Sequence, residues 1–335
     1  MKPKTFTLKN DNGMTLSASS LGGIVTSLTA PDKDGKFEDV VLSLDNINDY
    51  HGNGYMNALI GRVSNRVNGG AFMLDGKKIT LHKNDGANSL HGGGVGFDQK
   101  IWDARELSTP EGPAIELTLL SPDGDEGYPG NLFVRVVYTL MDCFAWRLQY
   151  WAMADAPTVF NPTNHAYFNL SGNARRDILG NTLEICGSRF TPSGKDLIPT
   201  GEVLPVAGTP LDFTEPAVIG DLMKKKSPFF RKGYDNNYLV DRVSPGLALC
   251  AALEDPESGR RMECWTSEPC VQLYAANHLA AGLKGRRGAV YGPHSGLCLE
   301  TQHAPDAPNQ PGFKPIRLNP GEVFQSTTIY QFTVI

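Results

Sequence analysis

The sequence predicts an all-β protein, a large antiparallel β-sandwich, and three observations carry that expectation. Short apolar or alternating runs rich in Val, Leu, Tyr and Trp recur along the whole chain. Between them stand 36 glycines and 23 prolines in 335 residues, a density that suits many turns. Helical periodicity is scarce, and only the stretches near 47–50 and 221–225 invite a helical turn.

Taken in order, TFTLKN, MTLSAS and DVVLSL open the chain as strand-like pieces separated by Gly, Asp and Pro. AFMLDGKKITL sets Asp75 and Gly76 between two such pieces, a hairpin signal because both residues tolerate positive φ. IWDARELS, AIELTLLS, LFVRVVYTLM and FAWRLQYWAMA then follow as consecutive long strands, expected to pair as antiparallel neighbours. NTLEICGSRFTP and GEVLPV continue the pattern, and LALCAALEDPESGRRMECWTS reads as a hairpin turning at 255–259. CVQLYAAN, SGLCLETQ and VFQSTTIYQFTVI close the chain. No fixed-period repeat or low-complexity linker interrupts it, so residues 1–335 are read as one domain.

Composition narrows the function classes. Forty percent hydrophobic and twenty percent charged residues are ordinary for a folded soluble protein. Net charge is −5, and the basic groups at 224–226 and 286–287 are too short to make a nucleic-acid stripe. No apolar run is long enough to span a bilayer, and no apolar segment follows the basic N-terminus, so a cytoplasmic protein with no membrane or nucleic-acid partner is expected. The six cysteines form no C-x-x-C pair and read as reduced core residues.

The richest stretch for chemistry is NPTNHAYFNL, 161–170, too polar for an ordinary core strand. Asn164 and His165 are adjacent and therefore point to opposite faces, which suggests a strand end entering a polar pocket. Other polar clusters recur among the strands: GRVSNRV, NSLHGGGVGFD, GYDNNY, VQLY and LCLETQ. Glu300, between Leu299 and Thr301, must be paired, hydrogen-bonded or shifted in pKa if its face is buried. The HGGG run lacks a G-x-S-x-G partner and the α/β pattern an esterase needs. It also lacks dinucleotide-binding spacing, and PDGDEG lacks that of a calcium loop. The Asn169 sequon is taken as chance. A metal site built from His91, His165, Asp235 and Glu300 stays open, because two imidazoles and two carboxylates are adequate ligands.

As an ordered set, these clusters resemble the aldose 1-epimerase (galactose mutarotase) family from about Gly61 to the C-terminus, together with SPDGDEGYPG, LIPTGEV, GTPLDF and PGE. The resemblance implies a galactose-mutarotase-like sandwich, a sugar cleft on one sheet, and no metal or organic cofactor. It implies Glu300 as general base and His165 as general acid, with His91 and Arg66 donating to the ring region beside Asn65, and Asp235 and Gln272 binding hydroxyls. Two departures are noted. Asn236 stands where a histidine is common, with an effect on substrate preference expected, and APN at 307–309 alters a loop.

The implied reaction interconverts the α and β anomers of free hexoses such as galactose and glucose. One group takes the O1 proton while the other protonates the ring oxygen; nearby carboxylates are expected to keep His165 charged, and partial burial to raise Glu300. The partner would be an aldohexose, and the protein a monomer or homodimer. Alternatives are a hexose-6-phosphate 1-epimerase, drawing cations from Lys224, Lys225, Lys226 and Arg231, or a non-catalytic sugar-binding sandwich, against which the presence of both His165 and Glu300 speaks. The mechanism predicts that His91, His165 and Glu300 converge on one concave face, ringed by Arg66, Asp235 and Gln272. Imidazole and carboxylate should stand about one sugar ring apart.

Overall fold

A computed structural model describes residues 2–230 and 232–335, so Arg231 lies outside the described residues. The long strands alternate as a half-buried strand must. In Ala145–Ala154, Trp146, Leu148, Tyr150 and Ala152 are buried while Arg147, Gln149 and Trp151 are only partly covered. Phe324–Val334 does the same with Ser326, Thr328, Tyr330 and Phe332. Antiparallel pairing brings such faces together. The result is a nine-stranded sheet in the order Asp103–Thr109, Gly112–Ser121, Leu132–Met141, Ala145–Ala154, Phe324–Val334, Arg260–Thr266, Ala248–Asp255, Thr182–Ile185 and Ala217–Val218.

Facing it is a five-stranded antiparallel sheet ordered Leu204–Pro205, Arg189–Thr191, Asp235–Leu239, Cys270–Tyr274 and Cys298–Gln302. Val271, Leu273 and Leu299 leave one face of this sheet and join the main core with Trp146, Tyr138 and Tyr330. Trp146 meets Tyr138 edge to face at 5.4 Å, a preferred aromatic geometry. The Tyr330 hydroxyl donates to the Leu299 carbonyl at 2.9 Å, and the Thr301 and Thr328 hydroxyls lie 2.6 Å apart, so polar contacts also tie the two sheets. Because side chains alternate, the neighbours of these core residues, Gln272 and Glu300, must leave the opposite face.

The predicted hairpins are present. Asp75 and Gly76 join Ala71–Leu74 to Lys77–Thr80 with φ of 50° and 73°, and Ala248–Asp255 pairs with Arg260–Thr266. The two helical expectations appear as a 3₁₀ turn at Ile47–Tyr50 and an α-helix at Ile219–Met223. DVVLSL departs from expectation. Its strand, Phe37–Asp39, stops before Val40, because Val40 and Leu42 donate to two different segments, at Leu28 and Tyr167. A run buried on all sides need not lie in one ladder. The cysteines are all unpaired, four of them buried, with Cys186 intermediate and Cys143 exposed. Among the described residues no helix is long and apolar enough to cross a membrane.

Candidate active site

The polar face of the five-stranded sheet supplies the floor of a cleft. Register sets Glu300 opposite Gln272 and Gln272 opposite Asn237, and Gln272 Nε2 donates to Asp235 Oδ1 at 2.7 Å. Three neighbouring strands therefore present carboxylate, amide and carboxylate side by side. Glu300 Oε2 and Gln272 Oε1 are buried acceptors without a hydrogen-bond partner among the described residues.

The opposing wall comes from the stretches that carry the histidines. Thr163–Asn164 pairs with Leu59–Ile60, and His165 is held by its N–H to the Ala58 carbonyl and its own carbonyl to the Asn57 N–H, both at 3.0 Å. Asn164 turns the other way, its amide within 3.4 Å of the Tyr138 hydroxyl in the core. His91 exchanges backbone and side-chain bonds with Asn65: its N–H donates to the Asn65 carbonyl at 3.0 Å, and its Nδ1 accepts from the Asn65 N–H at 3.1 Å. The neutral His91 ring therefore carries its proton on Nε2, which makes it a donor toward the cleft. Arg66 bonds Asp85 through Nε at 2.7 Å, and Asn65 Oδ1 accepts from the Arg66 N–H.

Glycine is required behind His91. Gly92 has φ of 93°, and a Cβ there would stand 1.8 Å from the Gly61 carbonyl oxygen. The HGGG run thus serves a close backbone approach. Glu126 of the PDGDEG loop accepts from the Gly94 and Val95 N–H groups at 2.7 and 3.1 Å, and buried Arg62 binds the Ser121, Pro122 and Pro129 carbonyls of that loop at 2.8 to 2.9 Å. The acidic loop is a brace for the His91 turn.

Together Tyr55, Asn65, Arg66, His91, His165, Tyr167, Asp235, Tyr274, His278 and Glu300 line a cleft of about 170 Å³. His91, His165 and Glu300 converge as predicted, with Arg66 and Asp235 beside them. Gln272 is not among the lining residues: it sits between Glu300 and Asp235 in the sheet and lines a small neighbouring pocket with Asn65, Arg66 and Asp235. The predicted ring-sized gap between acid and base is absent: His165 Nε2 is 3.7 Å from Glu300 Oε1. The physical reason is that O1 and the ring oxygen are bonded to the same carbon, so groups serving them can be neighbours. Sequence reasoning anticipated an aromatic contact but missed its identity; Tyr55, at φ 56°, lies 4.6 Å from His91, and Tyr167 stacks on His165 at 5.0 Å. The fully buried Asn57, which binds Val25, Leu42 and Tyr167, left no local signal either.

Burial governs the electrostatics. It pushes Glu300 well above the ordinary carboxylate range, with Asp235 adding to the rise and Arg66 opposing it. It lowers His165 to about 4 and His91 well below its usual value, and it raises Asp235. The expectation that carboxylates keep His165 charged is not met, because burial is the largest influence on the ring and disfavours its charged form.

The possible ligand atoms of His91, His165 and Glu300 lie within 4.8 Å of one another, and Asp235 is outside that group. A metal there would need the His91 lone pair that the Asn65 N–H occupies. Asn236 does not reach the cleft: its Nδ2 donates to the Phe229 carbonyl at 2.9 Å, so the expected direct effect on substrate preference has no contact behind it. The 307–309 turn bonds Ala71 and Asp306 behind Arg66. Lys224 is exposed and paired with Asp221, and neither it, Lys225 nor Lys226 lines the cleft.

The family model for aldose 1-epimerase matches residues 4–331. Galactose mutarotase of Sus scrofa is 42% identical over 330 residues, covering 98% of this chain and 94% of that protein. The human galactose mutarotase is 43% identical over 316 residues, 94% and 90% of the two chains. A crystal structure of an aldose epimerase homologue from C. elegans superimposes with a TM-score of 0.91 at 27% identity, covering both chains fully.

Proposed function

The chain belongs to the aldose 1-epimerase family and is a mutarotase, and we propose that Glu300 and His165 exchange the two protons of its reaction. The observation that carries this reading is the 3.7 Å approach of His165 Nε2 to Glu300 Oε1 inside a cleft lined by hydrogen-bonding groups. Burial disfavours the charged form of both groups, which leaves the proton on Glu300 and His165 neutral. A sugar O1–H donating to the unpartnered Oε2 favours the carboxylate and moves that proton to His165. Glu300 then takes the O1 proton as His165 protonates the ring oxygen, and the C1–O5 bond breaks to leave the open-chain aldehyde. Rotation about C1–C2 exposes the other face, and reclosure reverses both transfers.

In this reading the Nε2–H of His91 and the guanidinium of Arg66 donate to the sugar, while Asp235 and Gln272 accept from or donate to hydroxyls and Asn65 offers its amide. Tyr55, Tyr167 and Tyr274 supply apolar contact. No metal is assigned a part, and the monosaccharide is the only partner proposed. Residues 1–335 are taken as one domain, a monomer or homodimer. Six unpaired cysteines suit a cytoplasmic location, where thiols stay reduced.

The test is a polarimetric or coupled-enzyme time course of α-D-galactose and α-D-glucose with the purified protein. Acceleration over spontaneous mutarotation is expected. One observation favours hexose 6-phosphates as a second reading: Lys195 and Lys232 line an adjoining cavity of about 490 Å³ that shares Asp235 and His278 with the cleft. Running glucose 6-phosphate beside glucose decides between them.

A further inference from the structure

The strand Cys298–Gln302 meets the His165 ring twice. Cys298 and Glu300 are two residues apart and leave the same face. Cys298 Sγ lies 3.4 Å from His165 Nδ1, while Nε2 of the same ring is 3.7 Å from Glu300 Oε1. The rest of the ring is enclosed by Tyr167 stacked at 5.0 Å, Tyr274 edge-on at 5.8 Å, Tyr55 at 6.3 Å and His91 at 5.3 Å. The Tyr167 hydroxyl is committed to the Gly54 carbonyl and the Tyr274 hydroxyl to the His278 N–H. Among the described residues the thiol is the hydrogen-bonding partner of Nδ1.

We propose that Cys298 is a positioning residue for the reaction, its sulfur accepting a hydrogen bond from His165 Nδ1–H so that the exchangeable proton comes and goes at Nε2. The proposal rests on the reading of His165 as a proton carrier. A histidine whose two nitrogens are not distinguished can present the wrong one, and the bond made by the second nitrogen decides which tautomer stands. Sulfur is a weak acceptor. A carboxylate or carbonyl in its place would raise the basicity of the ring, whereas a neutral sulfur orders the tautomer with little added charge stabilisation. Burial holds the Cys298 thiol well above its ordinary pKa, so it stays protonated and does not compete for the proton. Cys298 does not line the cleft, so its effect on the sugar must pass through His165.

The experiment compares wild type, Cys298→Ala and Cys298→Ser by nitrogen-15 spectroscopy of the histidine rings and by steady-state kinetics across pH. We expect the neutral His165 ring of the wild type to carry its proton on Nδ1. In Cys298→Ala both tautomers should appear, with kcat about 10- to 100-fold lower, the scale for losing an orienting partner, and KM for galactose little changed. Cys298→Ser, whose hydroxyl oxygen can also accept, should restore the tautomer and much of kcat. A wild-type ring protonated on Nε2, or an alanine variant with unchanged ring signals, kcat and pH profile, overturns the proposal. If His165→Asn kept its turnover, the acid–base reading would fail, while the tautomer measurement would still decide what the thiol does.

Discussion

Burial drives Glu300 upward and His165 down to about 4, so between those limits the pair holds a single proton, on Glu300. In the proposed mechanism turnover needs that one proton. Below about 4 His165 takes a second and no base remains; above the raised pKa of Glu300 the pair is empty and no acid remains. The pH–rate profile should therefore be bell-shaped, and Glu300→Gln and His165→Asn should each lose one limb. Each should also cost about 10²- to 10⁴-fold in kcat, the scale of a positioned acid or base, while sugar binding by calorimetry is largely kept. Near wild-type rates in either variant would remove that residue from the mechanism. The same burial has a stability consequence. Glu300 has a higher pKa folded than unfolded, so its contribution is present below the unfolded value and is lost as pH rises through the folded one. Glu300→Gln should accordingly gain thermal stability over wild type as pH rises from 4 toward 9, and a constant difference across that range would contradict the shift.

At the scale of elements, the site depends on loops braced from behind. Arg62, with its side chain fully buried, binds carbonyls of the 121–130 loop, and Glu126 of that loop grips the backbone just after His91. GRVSNRV thus carries two arginines with different tasks: Arg62 faces inward to the brace and Arg66 lines the cleft. Gly92→Ala should show the dependence. Its Cβ would collide with the Gly61 carbonyl at 1.8 Å, and the positive φ is unfavourable for alanine. We expect a loss of about 1–3 kcal/mol in unfolding free energy, the range of backbone and strain effects, with a drop in kcat from displacement of His91. A variant that melts and turns over like wild type would show that the turn is not fixed by this contact.

For the molecule as a whole, two sheets meet across one core and leave a polar face on which distant residues assemble. His91 and His165 reach the Glu300 strand only because Thr163–Asn164 and the Asn65 segment lie over that face. Although the possible ligand atoms of His91, His165 and Glu300 lie within 4.8 Å of one another, the Asn65 N–H occupies the His91 lone pair. Dialysis of the whole protein against a strong chelator should therefore leave mutarotation unchanged. Activity that vanished with a stoichiometric metal and returned on its addition would reinstate the metal reading.

The strands and both hairpins were legible in the sequence, because alternation and turn chemistry are local signals, whereas the candidate site residues stood out only as an ordered set resembling a known family. Glu300 between Leu299 and Thr301 had to be compensated wherever it lay, and its placement beside Gln272 follows from strand register. Only the tertiary structure decided that Asn236 faces away from the cleft, that Gln272 bonds Asp235 beside it, and that His165 stands 3.7 Å from Glu300 instead of a sugar ring away. It alone decided the protonation tendencies too. Desolvation depends on what covers a group, and residues from the 55, 91, 165, 274 and 300 regions of the chain enclose His165 together, a summation over long-range neighbours that no local pattern encodes.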